Sequence, residues 1–183
     1  KINENIEEVS HLFLMQNGYL FSSACEECII YEIKEDSYEI IQKLGGLYGD
    51  TSKSIELENG DVICLSKGLY VFKKDPALNN YSLFKTINED KFLNDVIQVD
   101  ENRIAISNSV DKQIKFWELS SFSNVSQIDD IEVGPYNNCL YKIDSKNMVV
   151  GGVNMIYLVD LSTCVIKKKV TQMWSGSVPA CLM

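Results

Sequence analysis

Apolar residues in this chain fall into short runs, and those runs recur with a fixed period. Four of them end in a large side chain followed by a polar one: Cys28-Ile29-Ile30-Tyr31-Glu32, Leu69-Tyr70-Val71-Phe72-Lys73, Ile114-Lys115-Phe116-Trp117-Glu118 and Ile156-Tyr157-Leu158-Val159-Asp160. Tyr31, Phe72, Trp117 and Val159 are 41, 45 and 42 residues apart. Before each lies a run that closes on small residues, as in Leu20-Phe21-Ser22-Ser23 and Val149-Val150-Gly151-Gly152. A further run precedes that one (Leu12–Met15, Ser54–Leu57, Asp95–Gln98, Cys139–Lys142), and a fourth follows the large residue (Glu39–Ile41, Ser82–Phe84, Val125–Ile128, Val165–Lys167). A period of forty-odd residues is the mark of a repeat architecture and takes precedence over any local reading.

Every run reads as a strand, being short, rich in Ile, Val, Tyr and Phe, and bounded by turn residues. Asn17-Gly18 and Asn59-Gly60 fall at the same place in the first two repeats, and Asn-Gly between apolar runs predicts a tight hairpin with both residues at positive φ. The repeats are therefore antiparallel four-stranded meanders. Only residues 3–10 offer a turn or two of helix. An antiparallel sheet with one wet face alternates apolar and polar residues, whereas Met155–Val159 is almost continuously apolar, which predicts sheets covered on both faces. The fold class that follows is all-β: a β-propeller of four-stranded antiparallel blades stacked face to face, with an irregular β-sandwich as the competing architecture.

In the third repeat, Ser109-Val110-Asp111-Lys112-Gln113-Ile114-Lys115-Phe116-Trp117-Glu118-Leu119 resembles the motif of the WD-repeat β-propeller family: a Ser and Asp turn, an apolar strand, then Trp and an acid. Val159-Asp160-Leu161 and Tyr31-Glu32-Ile33 keep the end of that motif, while Phe72-Lys73 departs most. The family's Gly-His pair is absent and the single histidine, His11, stands on the first strand, so the family's His-Ser/Thr-Asp-Trp network does not carry over. The resemblance spans residues 11–173. It implies repeats at about 11–44, 53–87, 94–131 and 136–173, with 176–182 as the first strand of a further blade. Members of the family usually close with about seven blades, so the chain reads as one propeller segment over 1–183, an excerpt of a longer protein that opens on Lys1.

Charge narrows the partners. Among 183 residues the net charge is −9, and sixteen lysines stand against one arginine, Arg103. Such a chain suits neither phosphate backbones nor anionic membranes, so nucleic acid is not expected. The longest uncharged run, Val9–Cys25, holds His11, Gln16, Asn17 and Gly18, falls short of the ~20 apolar residues a spanning helix needs, and follows Glu7-Glu8 rather than a basic region. Six cysteines, mostly inside apolar runs, read as free thiols of an intracellular, cytoplasmic protein.

Candidate chemistry is sparse. Cys25-Glu26-Glu27-Cys28 has the spacing of half a zinc site, but no second pair completes it, and the two thiols read as neighbours across a turn. His11 belongs to no catalytic motif, and Gly45-Gly46-Leu47-Tyr48-Gly49 lacks the Gly-Lys-Ser/Thr ending of a phosphate loop, which leaves it as a flexible connection. No catalytic residue, metal or cofactor is implied. In the family that the chain resembles, binding concentrates on the rim formed by inter-blade connections and by turns after the second strand. That rim would carry Glu26, Glu27, Asp50, Asp111, Asp129 and Asp130, with Tyr136 and Trp174 as aromatic anchors and Tyr48 and Phe92 beside them. The expected function is a non-catalytic scaffold for protein–protein interaction, a subunit of a larger assembly whose partner is a protein with a basic segment. The alternatives are a propeller-type hydrolase or lyase with its catalytic residues on further blades, and a purely architectural part of a cytoskeletal or coat complex.

Overall fold

The computed structural model describes residues 9–88, 93–108, 110–129, 139–152 and 155–171. The chain divides into two compact units, residues 1–90 and 91–183. The described residues form sixteen strands in four antiparallel four-stranded sheets and no helix. The segment 3–10, apart from its last two residues, and the run 176–182 lie outside the described residues.

In the first unit, β1 (His11–Leu14), β2 (Leu20–Ser23), β3 (Cys28–Ile33) and β4 (Tyr38–Leu44) make one meander. β5 (Lys53–Glu56), β6 (Val62–Leu65), β7 (Gly68–Asp75) and β8 (Asn80–Asn88) make the next. The second unit repeats the plan. β9 (Leu93–Asp100), β10 (Arg103–Asn108), β11 (Gln113–Glu118) and β12 (Ser123–Ile128) precede β13 (Cys139–Lys142), β14 (Asn147–Gly151), β15 (Met155–Asp160) and β16 (Val165–Thr171).

One irregularity marks the period in three dimensions. The pairing of the third strand with the fourth slips by one residue between Ile30 and Tyr31, Val71 and Phe72, Phe116 and Trp117, and Leu158 and Val159. Tyr31, Phe72, Trp117 and Val159 thus follow the same β-bulge in all four sheets. On the fourth strand the bulge leaves Ile41, Phe84, Val125 and Lys167 without an opposite residue. A bulged last strand twists its free edge and discourages strand addition by another chain. The acid that follows the large residue has a local task. Asp160 Oδ1 accepts the N–H groups of Ser162 and Thr163 at 2.8 and 3.2 Å, closing the turn into β16. In the second sheet Asp75 does the same for Ala77 and Leu78, so Lys73 is tolerated after Phe72.

Within each unit the two sheets stack through equivalent positions. Phe21, Cys28, Ile30 and Leu44 of the first sheet meet Val62, Cys64, Tyr70 and Phe72 of the second. In the other unit the seam is Ala105, Ile114, Phe116 and Ile128 against Met148, Val150, Tyr157 and Val159. By strand register these are the same sites repeat for repeat. Tyr31 and Trp117 lie on the opposite faces of their sheets and are also buried, at 1% and 8% exposure. Cys28–Tyr31 of β3 and Gly68–Phe72 of β7 are thus buried on both faces, whereas on β15, where the apolar run Met155–Val159 predicts the same, Tyr157 and Val159 on the seam are buried and Met155, Ile156 and Leu158 stay part-exposed.

Polar clamps fix each seam. Gln42 and the backbone of Tyr81 exchange two hydrogen bonds, 2.6 and 2.8 Å, between β4 and β8. In the second unit the buried Asp95 carboxylate on β9 accepts the Leu140 N–H of β13 at 2.7 Å. Arg103, held by Asp100, donates to the Leu161 carbonyl at 3.0 Å. The hairpins differ from the two-residue form that Asn-Gly suggests. In each Asn-Gly pair the glycine alone has positive φ, +85° at Gly18 and +86° at Gly60. Asn17 and Asn59 instead accept the N–H two residues on, from Tyr19 and Asp61, each at 3.0 Å. The result is a longer loop whose Asx turn ends on a left-handed glycine.

Candidate functional site

The loops at one end of the first unit form a single hydrogen-bonded cluster. It comprises the β2–β3 loop (24–27), the β4–β5 connection (45–52) and the β6–β7 turn (66–67). Thr51 Oγ1 donates to the Ala24 carbonyl at 3.1 Å and Glu26 N to the Gly49 carbonyl at 3.4 Å, tying the first loop to the second. Ser66 Oγ lies 2.6 Å from the Tyr48 carbonyl and 2.9 Å from that of Gly49, and Lys67 N donates to Tyr48 as well. Tyr48 N donates to the Tyr70 hydroxyl at 3.0 Å, and the neighbouring Leu47 is buried in the seam.

The sequence alone leaves 45–49 a flexible connection. The structure pins it instead, because Leu47 plugs the seam while Ser66 and Tyr70 satisfy the backbone on either side. Gly46 and Gly49, at φ +90° and +81°, let the chain fold back over Leu47. The consequence is an exposed aromatic on a fixed backbone: Tyr48 is 63% exposed, with the Lys67 ammonium 4.6 Å from its ring centroid.

Around it the structure gathers three of the acids expected on a rim. Glu26 and Asp50 are exposed, and Glu27 reaches Lys43 at 3.7 Å. Glu27 is therefore paired with Lys43, and Lys67 adds a cation to the same loop cluster, beside Tyr48. In the second unit Asp111 is drawn into its own turn: Asn108 accepts the Val110 and Asp111 N–H groups and donates to the Asp111 carboxylate at 3.3 Å. Asp129 is exposed but accepts from Gln113 at 2.7 Å and from Gln127 at 3.1 Å, so it finishes the end of its sheet. Asp130, Tyr136 and Trp174, like Phe92, lie outside the described residues.

His11 sits at the head of β1, beside a shallow cleft of about 390 Å³ between β1 and β5 that Lys53 and Glu56 also line. Burial, with a smaller push from the Lys53 charge, lowers its pKa to about 4. The ring is thus neutral at pH 7, and its Nδ1 is buried without a hydrogen-bond partner. Glu56, the carboxylate in that cleft, accepts from Gln16 N at 2.7 Å. Among the described residues no group of three His, Cys, Asp or Glu side chains is arranged to hold a metal, and no helix is long and apolar enough to cross a membrane.

Three residues that matter here carried no readable signal of their own. Ser66 and Tyr70 hold Tyr48, and Asp95 joins two sheets, yet each looks like ordinary strand or turn composition. Asp95 could have been found by aligning the four inner strands, where it shares a register with His11, Lys53 and Cys139 and is the single acid. Comparison of the chain with models of known protein families and with curated proteins gives no match.

Proposed function

We propose that this chain supplies blades of a WD-repeat-like β-propeller that works as a non-catalytic protein-interaction scaffold in a larger assembly. What supports the fold reading is the recurrence of one bulge before Tyr31, Phe72, Trp117 and Val159, with one set of seam positions used in both units. Repeats that stack through the same faces each time are the elements of a propeller. The functional reading rests on one observation: Tyr48 is exposed while its backbone is held by Ser66, Lys67 and Tyr70. An aromatic presented on a fixed loop binds without a large ordering cost, which is the character of an interface anchor. The partner is a protein segment with basic residues, paired with Glu26 and Asp50 around that anchor.

Arrays of short peptides of graded charge test this. Lysine- and arginine-containing peptides are expected to bind the wild-type chain, to dissociate faster from Tyr48→Ala and to associate more slowly with Glu26→Lys/Asp50→Lys. Leu78→Ala, on the exposed β7–β8 hairpin at the far end of its sheet, is the control and is expected to match wild type. Equal binding by all four proteins, or preference for acidic peptides, overturns the proposal.

A further inference from the structure

In the seam of the first unit, the sulfurs of Cys28 on β3 and Cys64 on β6 lie 3.7 Å apart, on different sheets and both fully buried. The equivalent seam positions of the second unit hold Ile114 and Val150. The fold therefore asks only for apolar bulk at these two sites. Thiols satisfy that demand as small hydrophobes while adding a chemistry that Ile and Val lack.

We propose that Cys28 and Cys64 are a redox modification site, forming a disulfide that staples the two sheets of this unit together. Closing a disulfide from this contact brings the sulfurs together by about 1.7 Å, which takes rotation of both side chains and a tightening of the seam. Cys28 opens β3 directly behind the 24–27 loop. The pair lies in the seam between the two sheets, so peroxide reaches it by local opening of that seam rather than by global unfolding. The hydrogen bond to Cys64 and burial both raise the Cys28 pKa, so Cys28 rests as a thiol.

The oxidant is a peroxide. Once opening wets the pair, one thiol gives up its proton and attacks as the thiolate, becoming a sulfenic acid, and the displaced hydroxide takes up that proton and leaves as water. The second thiol then displaces a second water and forms the S–S bond, so that two thiols and one hydrogen peroxide become one disulfide and two waters. Because the bond joins residues 36 apart in sequence, it restricts the unfolded chain and stabilises the folded one.

The test is to expose the folded protein to graded hydrogen peroxide and map its linkages by peptide mass without reduction. The expected result is a Cys28–Cys64 cross-link and a thermal midpoint raised by ~10 °C, reversed by dithiothreitol. Cys28→Ile/Cys64→Val copies the second unit's filling, so it is expected to fold normally and show no such shift. Two results overturn the proposal. One is a pair that stays reduced while the part-exposed Cys25 and Cys164 are oxidised. The other is a cross-link that forms only after the chain is unfolded.

Discussion

Replacing Trp117 separates the two halves of the packing argument. The residue stands on β11 after the bulge and is 8% exposed, opposite Ile104 on one side and Asn124 on the other. Its indole Nε1 is buried without a hydrogen-bond partner. Trp117→Ala empties the site and should cost about 3–5 kcal/mol, the usual loss for deleting a large buried aromatic. Trp117→Phe removes part of the ring, a loss of about 2 kcal/mol once the space left behind is added to the lost apolar burial. It also removes the unpaired donor, whose desolvation costs about 1–3 kcal/mol while it stays buried. The two effects nearly cancel, so the Phe variant should lie within about 1 kcal/mol of wild type. Phe72 occupies the equivalent position of the second sheet, evidence that a phenyl ring fits there. The assay is urea unfolding at 25 °C followed by far-ultraviolet circular dichroism, with the slope of the transition checked for each protein because the chain holds two compact units. A Phe variant as unstable as the Ala variant, or an Ala variant that loses less than about 1 kcal/mol, refutes the reasoning.

Two further outcomes follow from named contacts. His11 has a folded-state pKa of about 4 against 6.5 in the free side chain, so below pH 6.5 the unfolded chain takes a proton that the folded one does not. Its contribution is fully present above pH 6.5 and is lost as pH falls toward 4, with a slope below the limiting 1.36 kcal/mol per pH unit because the ring is only part-buried. The stability difference between wild type and His11→Phe, measured from pH 7 to pH 4, should change in that window. Asp144 and Asp160, held low by hydrogen bonds from Asn147 and Lys167, titrate in both proteins and cancel. Gly151→Ala would set a Cβ 2.8 Å from the Cys139 sulfur across the β13–β14 pair and should destabilise by about 1–3 kcal/mol. Adding Cys139→Ala should recover part of that loss, and purely additive costs in chemical denaturation would count against the contact.

The period, the sixteen short strands, the antiparallel order within each repeat and the equivalence of Tyr31, Phe72, Trp117 and Val159 can all be read along the chain. These are legible because strand pattern is local: apolar and polar alternation, β-branched composition and turn residues act within a few positions of one another. Asn17-Gly18 likewise declared a hairpin. The geometry of that loop depended on whether Asn17 turned left-handed or used its side chain on Tyr19, and the sequence leaves both open. The bulge, the seam and the loop cluster were decided only by tertiary structure. Nothing in Cys28-Ile29-Ile30 states that its thiol will meet Cys64, 36 residues on, because that contact depends on which faces of two sheets are pressed together. For the same reason Asp111 and Asp129 looked like free rim charges, yet Asn108, Gln113 and Gln127 engage them. Tyr48 looked like part of a loose glycine-rich connection, whereas Leu47 buried beneath it and Ser66 and Tyr70 bonded to it make it a fixed platform. A hydrophobic pattern records what each residue needs from its surroundings. Packing decides which distant residue meets that need.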